Sequence, residues 1–377
     1  MRILNVNSIL DPVTGGGTTE RTCQLSRIMR KAGIECQILT TFIGKDPDVL
    51  RSMGDLKITV LPCLNSRFRI PKFTYRQILS IVSDYDIIHL MDHWTILNAI
   101  VCRAARQLNK PYVVCPAGAL PIFGRSAVIK KLYNRLVGYK LIQGACNHVA
   151  ITSAESYQFE PYGIDHSDVT VIPNGIDCNV EFERDDSLFR NKFGIGDNPF
   201  ILFLGRLSLI KGPDLLLRAF LNVKNEIDNY HLVFAGPDGE VASELKEIVA
   251  GSGVAHKIHF IGYVGGVDKY QAYCASDVVV IPSRQEAMSL VALEAGAAGT
   301  PVILTDQCGF DELADSGGGI IVEATIDALQ RGMLEMRDKR EDLDDMGEKL
   351  KQYVSKSYSW DAVLDKYMTI YNKILRD

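Results

Sequence analysis

Two glutamates eight residues apart, Glu286 and Glu294 in RQEAMSLVALEAGAAGTPV, stand where a strand gives way to a helix. The run DVVVIPS (Asp277 to Ser283) ahead of them is β-branched and apolar, as for a strand buried on both faces. Met288, Ser289 and Leu290 then lead into good helix formers that stop near Gly299-Thr300-Pro301. A helix N-terminus offers unpaired backbone N–H groups and the positive end of the helix dipole, and both favour a phosphate. At about 1.5 Å per residue, Glu294 falls roughly a turn deeper than that phosphate, while Glu286 stays in the loop before it. Carboxylates so placed can hold hydroxyls at both ends of a sugar nucleotide. The same spacing also fits two solvated glutamates flanking an ordinary helix.

A second strand-to-helix connection carries the opposite charge. After the run Phe200–Leu204 comes GRLSLIKGPDLLLRAF, where Arg206 and Lys211 leave the strand end before a helix whose first turn holds Pro213. Fixed cations in a water-poor site stabilise the charge that develops on a leaving diphosphate, with no metal required. Two carboxylates alone would also fit a glycosidase acid and nucleophile about 5–5.5 Å apart. The helix start and the two cations beside them favour a nucleotide donor. A third loop, Gly15-Gly16-Gly17, follows the first strand, where glycine lets backbone approach a phosphate closely. It does not fit GxGxxG, and the second strand ends Leu39-Thr40-Thr41 without an acidic residue for a ribose. A dinucleotide-dependent oxidoreductase is therefore disfavoured.

Positioning these groups takes two cores, because 377 residues with 47% hydrophobic content exceed what one core usually serves. Short apolar runs alternate with amphipathic stretches, the rhythm of parallel sheets covered on both faces. Strands are expected at Arg2–Val6, Glu35–Thr40, Ile58–Leu61, Ile87–Met91, Tyr112–Cys115, His148–Ile151 and Val169–Ile172. A second set is expected at Phe200–Leu204, His231–Ala235, Ile258–Ile261, Val278–Ile281, Pro301–Leu304 and Gly319–Val322. The fold class is α/β, with two Rossmann-like doubly wound domains facing across a cleft: residues 1–175, residues 176–356, and a helix over 357–377 crossing back to the first domain. The turn-rich then charged segment IPNGIDCNVEFERDD reads as the junction, and Trp360, Tyr367 and Tyr371 as the inner face of the last helix.

Nine scattered cysteines without a CxxC pair argue against a disulfide framework and a structural zinc site. No apolar run is long enough to span a bilayer and MRILNVNSIL opens as a strand, so a cytoplasmic protein is expected. Charge divides unevenly. Up to Gly175 there are 20 Lys and Arg against 13 Asp and Glu, or +7, and beyond it 21 against 33, or −12. Arg67, Arg69, Lys72 and Arg76 interleave with Phe68, Ile70, Phe73 and Tyr75, and Arg125, Lys130, Lys131, Arg135 and Lys140 form a second cluster. Residues 65–76 and 122–143 therefore read as a surface for anionic lipid head groups at the inner face of the cell membrane, or as a solvated face with a loop gripping a phosphorylated ligand. No basic-aromatic fold signature points to nucleic acid.

Taken in order, GRLSLIKGPDLLLRAF, FAGPDGE, FIGYV and IPSRQEAMSLVALEAGAAGTPV resemble the C-terminal domain of the retaining glycosyltransferases of family four, which have the GT-B fold. The Gly15-Gly16-Gly17 loop, DIIHLMDHW, PAGAL and VIPNGID extend the resemblance over the whole chain. It implies transfer of a sugar from a nucleotide diphosphate sugar, UDP-sugar first and GDP-mannose second, to a saccharide or lipid-linked hydroxyl acceptor, in polysaccharide or glycolipid synthesis. By it Arg206 and Lys211 bind the donor diphosphate, Glu286 holds the transferred sugar, and backbone of Met288, Ser289 and Leu290 contacts sugar and phosphate. Glu294 takes the ribose, the Tyr263–Val264 turn borders the base, and Gly16 and Gly17 close over donor or acceptor. Asp92 and His93, beyond the strand end in DIIHLMDHW, are the candidates for acceptor contacts, whereas His89 reads as a packed core residue. Many members have a histidine soon after the next strand, where this chain reads CPAGAL, so no ionisable base is supplied there. Front-face retaining transfer tolerates that gap, because the departing phosphate oxygen can take the acceptor's proton. No cofactor and no metal are implied. The rivals are a sugar-nucleotide epimerase of the same architecture and a catalytically silent binding module, and the latter is disfavoured by the presence of Arg206, Lys211 and Glu286.

Overall fold

A computed structural model of the chain describes residues 1–44, 50, 51, 53–65, 70–122, 126–178, 186–227 and 229–376. Its contacts fall into two units, Met1–Gly175 with Trp360–Asp377, and Ile176–Ser359. The division lies inside IPNGIDCNVEFERDD, and residues 179–185 of that segment are outside the described residues. The closing segment joins the first unit from Trp360 rather than from residue 357, because the preceding helix, Leu343–Tyr358, packs with the second unit and ends at an extended Ser359.

In the first unit β1 (Arg2–Val6), β2 (Glu35–Thr40), β3 (Ile58–Val60), β6 (Ile87–Met91), β7 (Tyr112–Cys115), β8 (Asn147–Ala150) and β9 (Val169–Val171) form one sheet in the order β3-β2-β1-β6-β7-β8-β9. Every pairing in it is parallel. The central strands are buried along their whole length, as continuous Ile, Val and Leu runs require when helices cover both faces. Between β3 and β6 lies an unexpected antiparallel hairpin of β4 (Cys63–Asn65) and β5 (Ile70–Pro71). Arg67, Phe68 and Arg69 of the first basic-aromatic stretch fall outside the described residues, as does Arg125 of the second.

In the second unit β10 (Phe200–Leu204), β11 (His231–Ala235), β12 (Ile258–Gly262), β13 (Val278–Ile281), β14 (Val302–Thr305) and β15 (Gly319–Val322) run parallel in the order β12-β11-β10-β13-β14-β15. Every strand read from the sequence is present, with ends moved by a residue at β3, β8, β9, β12 and β14. β14 starts after Pro301, whose nitrogen has no proton for the ladder.

Each sheet changes winding direction once. In the first unit the chain steps outward from β1 to β3 and resumes at β6 on the other side of β1; in the second it steps from β10 to β12 and resumes at β13 beside β10. Neighbouring loops diverge at such a switch point and leave a crevice at the carboxyl ends of the strands. The segment after β1 carries Gly16 and Gly17, the loop after β6 carries Asp92 and His93, and the loops after β10 and β13 carry Arg206, Lys211 and Glu286.

Candidate functional site

The loop after β10 and the loop after β13 meet in the second unit, and an ion pair joins their functional side chains. Lys211 Nζ stands 2.9 Å from Glu286 Oε1, and the Glu286 side chain is only 8% exposed. The Ser283 hydroxyl donates to the same oxygen. Lys211 ends a tight turn, Leu209–Lys211, and Gly212 follows in the left-handed region at φ 70°. A Cβ there would lie 1.9 Å from the Pro282 carbonyl oxygen, so only glycine lets the two loops touch backbone to backbone. Arg206, at the mouth of β10, is exposed.

Glu286 is fixed from the far side by the turn after β14, where the Glu286 N–H donates to Gln307 O at 2.8 Å. Ser289 then caps the helix Leu290–Ala298, its hydroxyl accepting from the Ala292 N–H. The Ser289 N–H is already given to Cys308 O at 2.9 Å. The N–H groups of Leu290 and Val291 belong to the first turn, which has no carbonyls of its own helix to satisfy them. Met288 is buried. Burial, reinforced by the charge of Glu286, pushes the Cys308 thiol up to about 11, so it packs as a neutral group.

Glu294 lies about a turn deeper in the same helix, with both oxygens engaged: Lys269 Nζ is 2.6 Å from Oε1, and the Tyr273 hydroxyl donates to Oε2 at 2.7 Å. Burial, then the adjacent Glu294 charge, raises the Tyr273 hydroxyl well above its ordinary range. A ribose there would share a carboxylate already oriented by two donors. In the turn after β12, Tyr263 is 77% exposed while Val264 is buried, so a base could meet the Tyr263 ring but only backbone of Val264. Ser283, Lys269, Tyr273 and Arg284 were not singled out from the sequence. Arg284 sits inside IPSRQE two residues before Glu286, the one signal that could have found it.

The first unit departs more from expectation. The Gly15-Gly16-Gly17 segment is not one continuous loop but the break between two helical stretches within Pro12–Lys31, with Gly16 non-helical at φ 54° and ψ −141°. Its position there follows from Gly15 N–H bonding back to Asp11 O at 2.7 Å, an early helical turn. His93 is fully buried, its Nε2 2.9 Å from Asn134 Oδ1, with Trp94, Tyr133 and Tyr162 edge-on around it. Asp92, in the left-handed region at φ 66°, turns its carboxylate back onto the N–H of His93. Burial raises the Asp92 carboxyl against that bond and one from the Trp94 N–H. Both residues hold the loop's shape; full burial takes His93 out of reach of direct acceptor contact, whereas Asp92 is half-buried. His89 is packed as expected, with Tyr371 OH 2.9 Å from its Nδ1. The Cys115–Leu120 loop is held from beneath by Glu155, whose carboxylate accepts the N–H groups of Gly118 and Ile151. Among the described residues no cluster of three or more His, Cys, Asp or Glu could hold a metal ion.

Two doubly wound parallel-sheet units in one chain constitute the GT-B fold, and solved structures share it over nearly the full length. Anabaena Alr3699/HepE, in complex with UDP and glucose, superposes with a TM-score of 0.79 at 19% identity, covering 99% of this chain and 100% of its own. The family model for glycosyl transferases group 1 matches residues 185–353, and that for glycosyltransferase family 4 matches residues 15–180. The chain belongs to the group 1 glycosyltransferases of family 4. An uncharacterized glycosyltransferase of Methanocaldococcus jannaschii is 34% identical over 211 residues, 54% of this chain and 53% of the relative. The D-inositol 3-phosphate glycosyltransferase of Geodermatophilus obscurus is 29% identical over 250 residues, 63% and 55% respectively. The chain spans about half the length of the curated relatives it matches.

Proposed function

We propose that the chain is a retaining, metal-independent glycosyltransferase that moves a hexose or related sugar from a UDP-sugar, with GDP-mannose the second candidate, to a saccharide or lipid-linked hydroxyl. The observation that carries this reading is the Lys211–Glu286 pair at the switch point of the second sheet, beside a helix N-terminus. On donor binding Lys211 turns from Glu286 to the diphosphate, Arg206 adds a second positive charge, and the first-turn N–H groups of Leu290 and Val291 face a phosphate oxygen. Glu286 then accepts from sugar hydroxyls and fixes the ring. The bond from the anomeric carbon to the phosphate oxygen breaks as charge builds on the diphosphate. The acceptor oxygen bonds to the same face of that carbon, and its proton passes to the departing phosphate oxygen. Catalysis on this route is positioning and charge stabilisation, which suits a site with no free base after β7. The relatives are named for transfer, which supports that reaction over the epimerase and the silent binding module.

We further infer that the first unit works against an anionic membrane. Val128, Ile129, Leu132 and Leu136 are 79%, 58%, 55% and 63% exposed, interleaved with Lys130, Lys131, Arg135 and Lys140. No helix among the described residues is long and apolar enough to cross a membrane, so contact would be peripheral.

The test is UDP release from UDP-sugars with a panel of saccharide and lipid-linked acceptors, with and without EDTA, and the product's anomeric configuration by NMR. Wild-type protein should release UDP in an acceptor-dependent way, EDTA should leave the rate unchanged, and Glu286→Gln should lower it at least ~100-fold. Full turnover by that variant would remove Glu286 from the site. An inverted anomer would exclude the retaining route, and strong EDTA inhibition would reveal a metal requirement.

A further inference from the structure

Arg284 is a third cation between the same two loops, and its guanidinium is already engaged. Nη1 donates to Asp214 Oδ1 at 2.8 Å and to Leu209 O at 2.5 Å, and Nη2 donates to Asp214 Oδ2 at 2.7 Å. Three of the five N–H donors of a guanidinium are thus spent inside the protein. The Arg284 backbone N–H adds a fourth tie, to Ile210 O at 2.8 Å. Asp214 sits in the first turn of the helix Pro213–Asn222, where a carboxylate also favours the helix dipole. Burial works against the Asp214 carboxylate, yet the Arg284 fork holds it below its ordinary range.

These four bonds land on Leu209, Ile210 and Asp214, the residues that bracket Lys211 on both sides. Their other end is Arg284, two residues from Glu286 on the loop whose Pro282 carbonyl already touches Gly212. The turn carrying Lys211 therefore has no independent freedom relative to the loop carrying Glu286. A lysine chain has four rotatable carbon–carbon links, so the position of its root decides whether Nζ meets a diphosphate or swings into water.

Building on the donor site proposed above, we propose that the Asp214–Arg284 pair is a positioning clamp that sets Lys211 against Glu286, and that Arg284 does not itself bind the donor's phosphates. A planar, bidentate fork suits this work because it fixes direction as well as distance, which a lysine at the same place would not.

Isothermal titration of the full chain with UDP separates the clamp from a direct ligand. Asp214→Ala and Arg284→Ala should each weaken UDP about 10-fold, Asp214→Asn and Arg284→Lys less, and Lys211→Ala at least as much as either alanine variant. In a Lys211→Ala background neither clamp variant should weaken UDP by more than about twofold, because the group they position is gone. Melting temperatures of all variants, recorded alongside, identify any that fail to fold, and Asp214→Asn with Arg284→Lys keep the comparison alive if the alanine variants do. A 10-fold loss from Arg284→Ala that persists without Lys211 would make Arg284 a phosphate ligand and overturn the clamp. Wild-type UDP affinity in both clamp variants, with Lys211→Ala impaired, would overturn it too while leaving the donor site standing. Wild-type affinity in Lys211→Ala itself, or no UDP binding by the wild type, would instead bring down the UDP site on which the clamp rests.

Discussion

His93 shows how much an environment decides what a residue can do. A histidine beyond a strand end at the switch point of a sheet is placed for acid–base work, but this one is shut in, with Nε2 bonded to Asn134 and Nδ1 buried without a partner among the described residues. Burial, against the help of the Asn134 bond, lowers it to about 4, and burial, reinforced by the Arg21 charge, lowers His89 to about 3. In the unfolded chain both titrate near ~6.5. Above that pH neither state carries the proton and the groups do not affect stability. As pH falls below ~6.5 the unfolded chain takes protons that the folded one refuses, so each histidine removes stability at up to ~1.4 kcal/mol per pH unit until its folded value is reached. The carboxyls of Asp92 and Glu155, raised by burial, work in the opposite direction. Comparing wild type with His93→Gln cancels their share. Between pH 7 and 5 the variant's urea midpoint should fall less steeply than that of the wild type, and parallel slopes would mean that His93 is not held neutral.

At the scale of the element, the segment from Ala127 to Gln143 stands out because one side of it leaves a row of apolar side chains exposed. A helix, Ala127–Tyr133, passes through a π turn, Asn134–Gly138, into a second helix, Tyr139–Gln143. Asn134, Gly138, Leu141 and Ile142 face the core, and the opposite side exposes Val128, Ile129, Leu132 and Leu136. An apolar ridge with lysines along it binds an interface by inserting side chains and by attracting anionic head groups at about 1 kcal/mol per cation. Flotation with vesicles containing phosphatidylglycerol should carry the wild type. Leu132→Glu with Leu136→Glu should abolish this while leaving the melting temperature unchanged, since neither side chain supports the core; flotation of the double variant would place any lipid contact elsewhere. The lysines of this segment were legible from composition. Their apolar neighbours were not singled out, because exposure depends on what the fold brings opposite them. The strands were readable almost to the residue, since a β-branched run buried on both faces has few alternatives. The β4–β5 hairpin was missed because its short arms carry no apolar alternation. The donor-side groups were legible because a strand end and a helix start locate them locally. Asp214–Arg284 joins residues 70 apart in sequence, a pairing that only the adjacency of β10 and β13 creates.

Across the whole molecule, the chain leaves its first unit at Gly175, builds the second, and returns at Trp360 to finish the first. The returning helix Trp360–Ile374 completes the setting of a buried cation. Arg21 donates to Ile172 O, Pro173 O and Asn174 Oδ1 at 2.7–2.8 Å and to the Tyr367 hydroxyl at 2.7 Å. Among the described residues no carboxylate bonds it directly, so neutral oxygens carry the cost of burying its charge, and each is expensive to remove. Trp360 seals the other end, packed so closely on Gly175 that a Cβ on the glycine would sit 2.4 Å from the indole. The first unit is thus joined through contacts between residue 21, residues 172–174 and residue 367, which form only after nearly the whole chain is made. Arg21 Nε already has no partner among the described residues, so Tyr367→Phe, which keeps the ring and deletes the hydroxyl, unpairs a second guanidinium donor in a dry site, at a cost of about 1.5–3 kcal/mol. The chain's two tryptophans, Trp94 and Trp360, both lie in the first unit, so fluorescence reports its unfolding without contribution from the second. Tyr367→Phe should lower the urea midpoint read by fluorescence by roughly 1 M, taking a slope of about 1–3 kcal/mol per M. UDP affinity should be unchanged, because the donor groups belong to the other unit. An unmoved midpoint would show that the other three oxygens suffice for Arg21, and that the last helix is held by its apolar face alone.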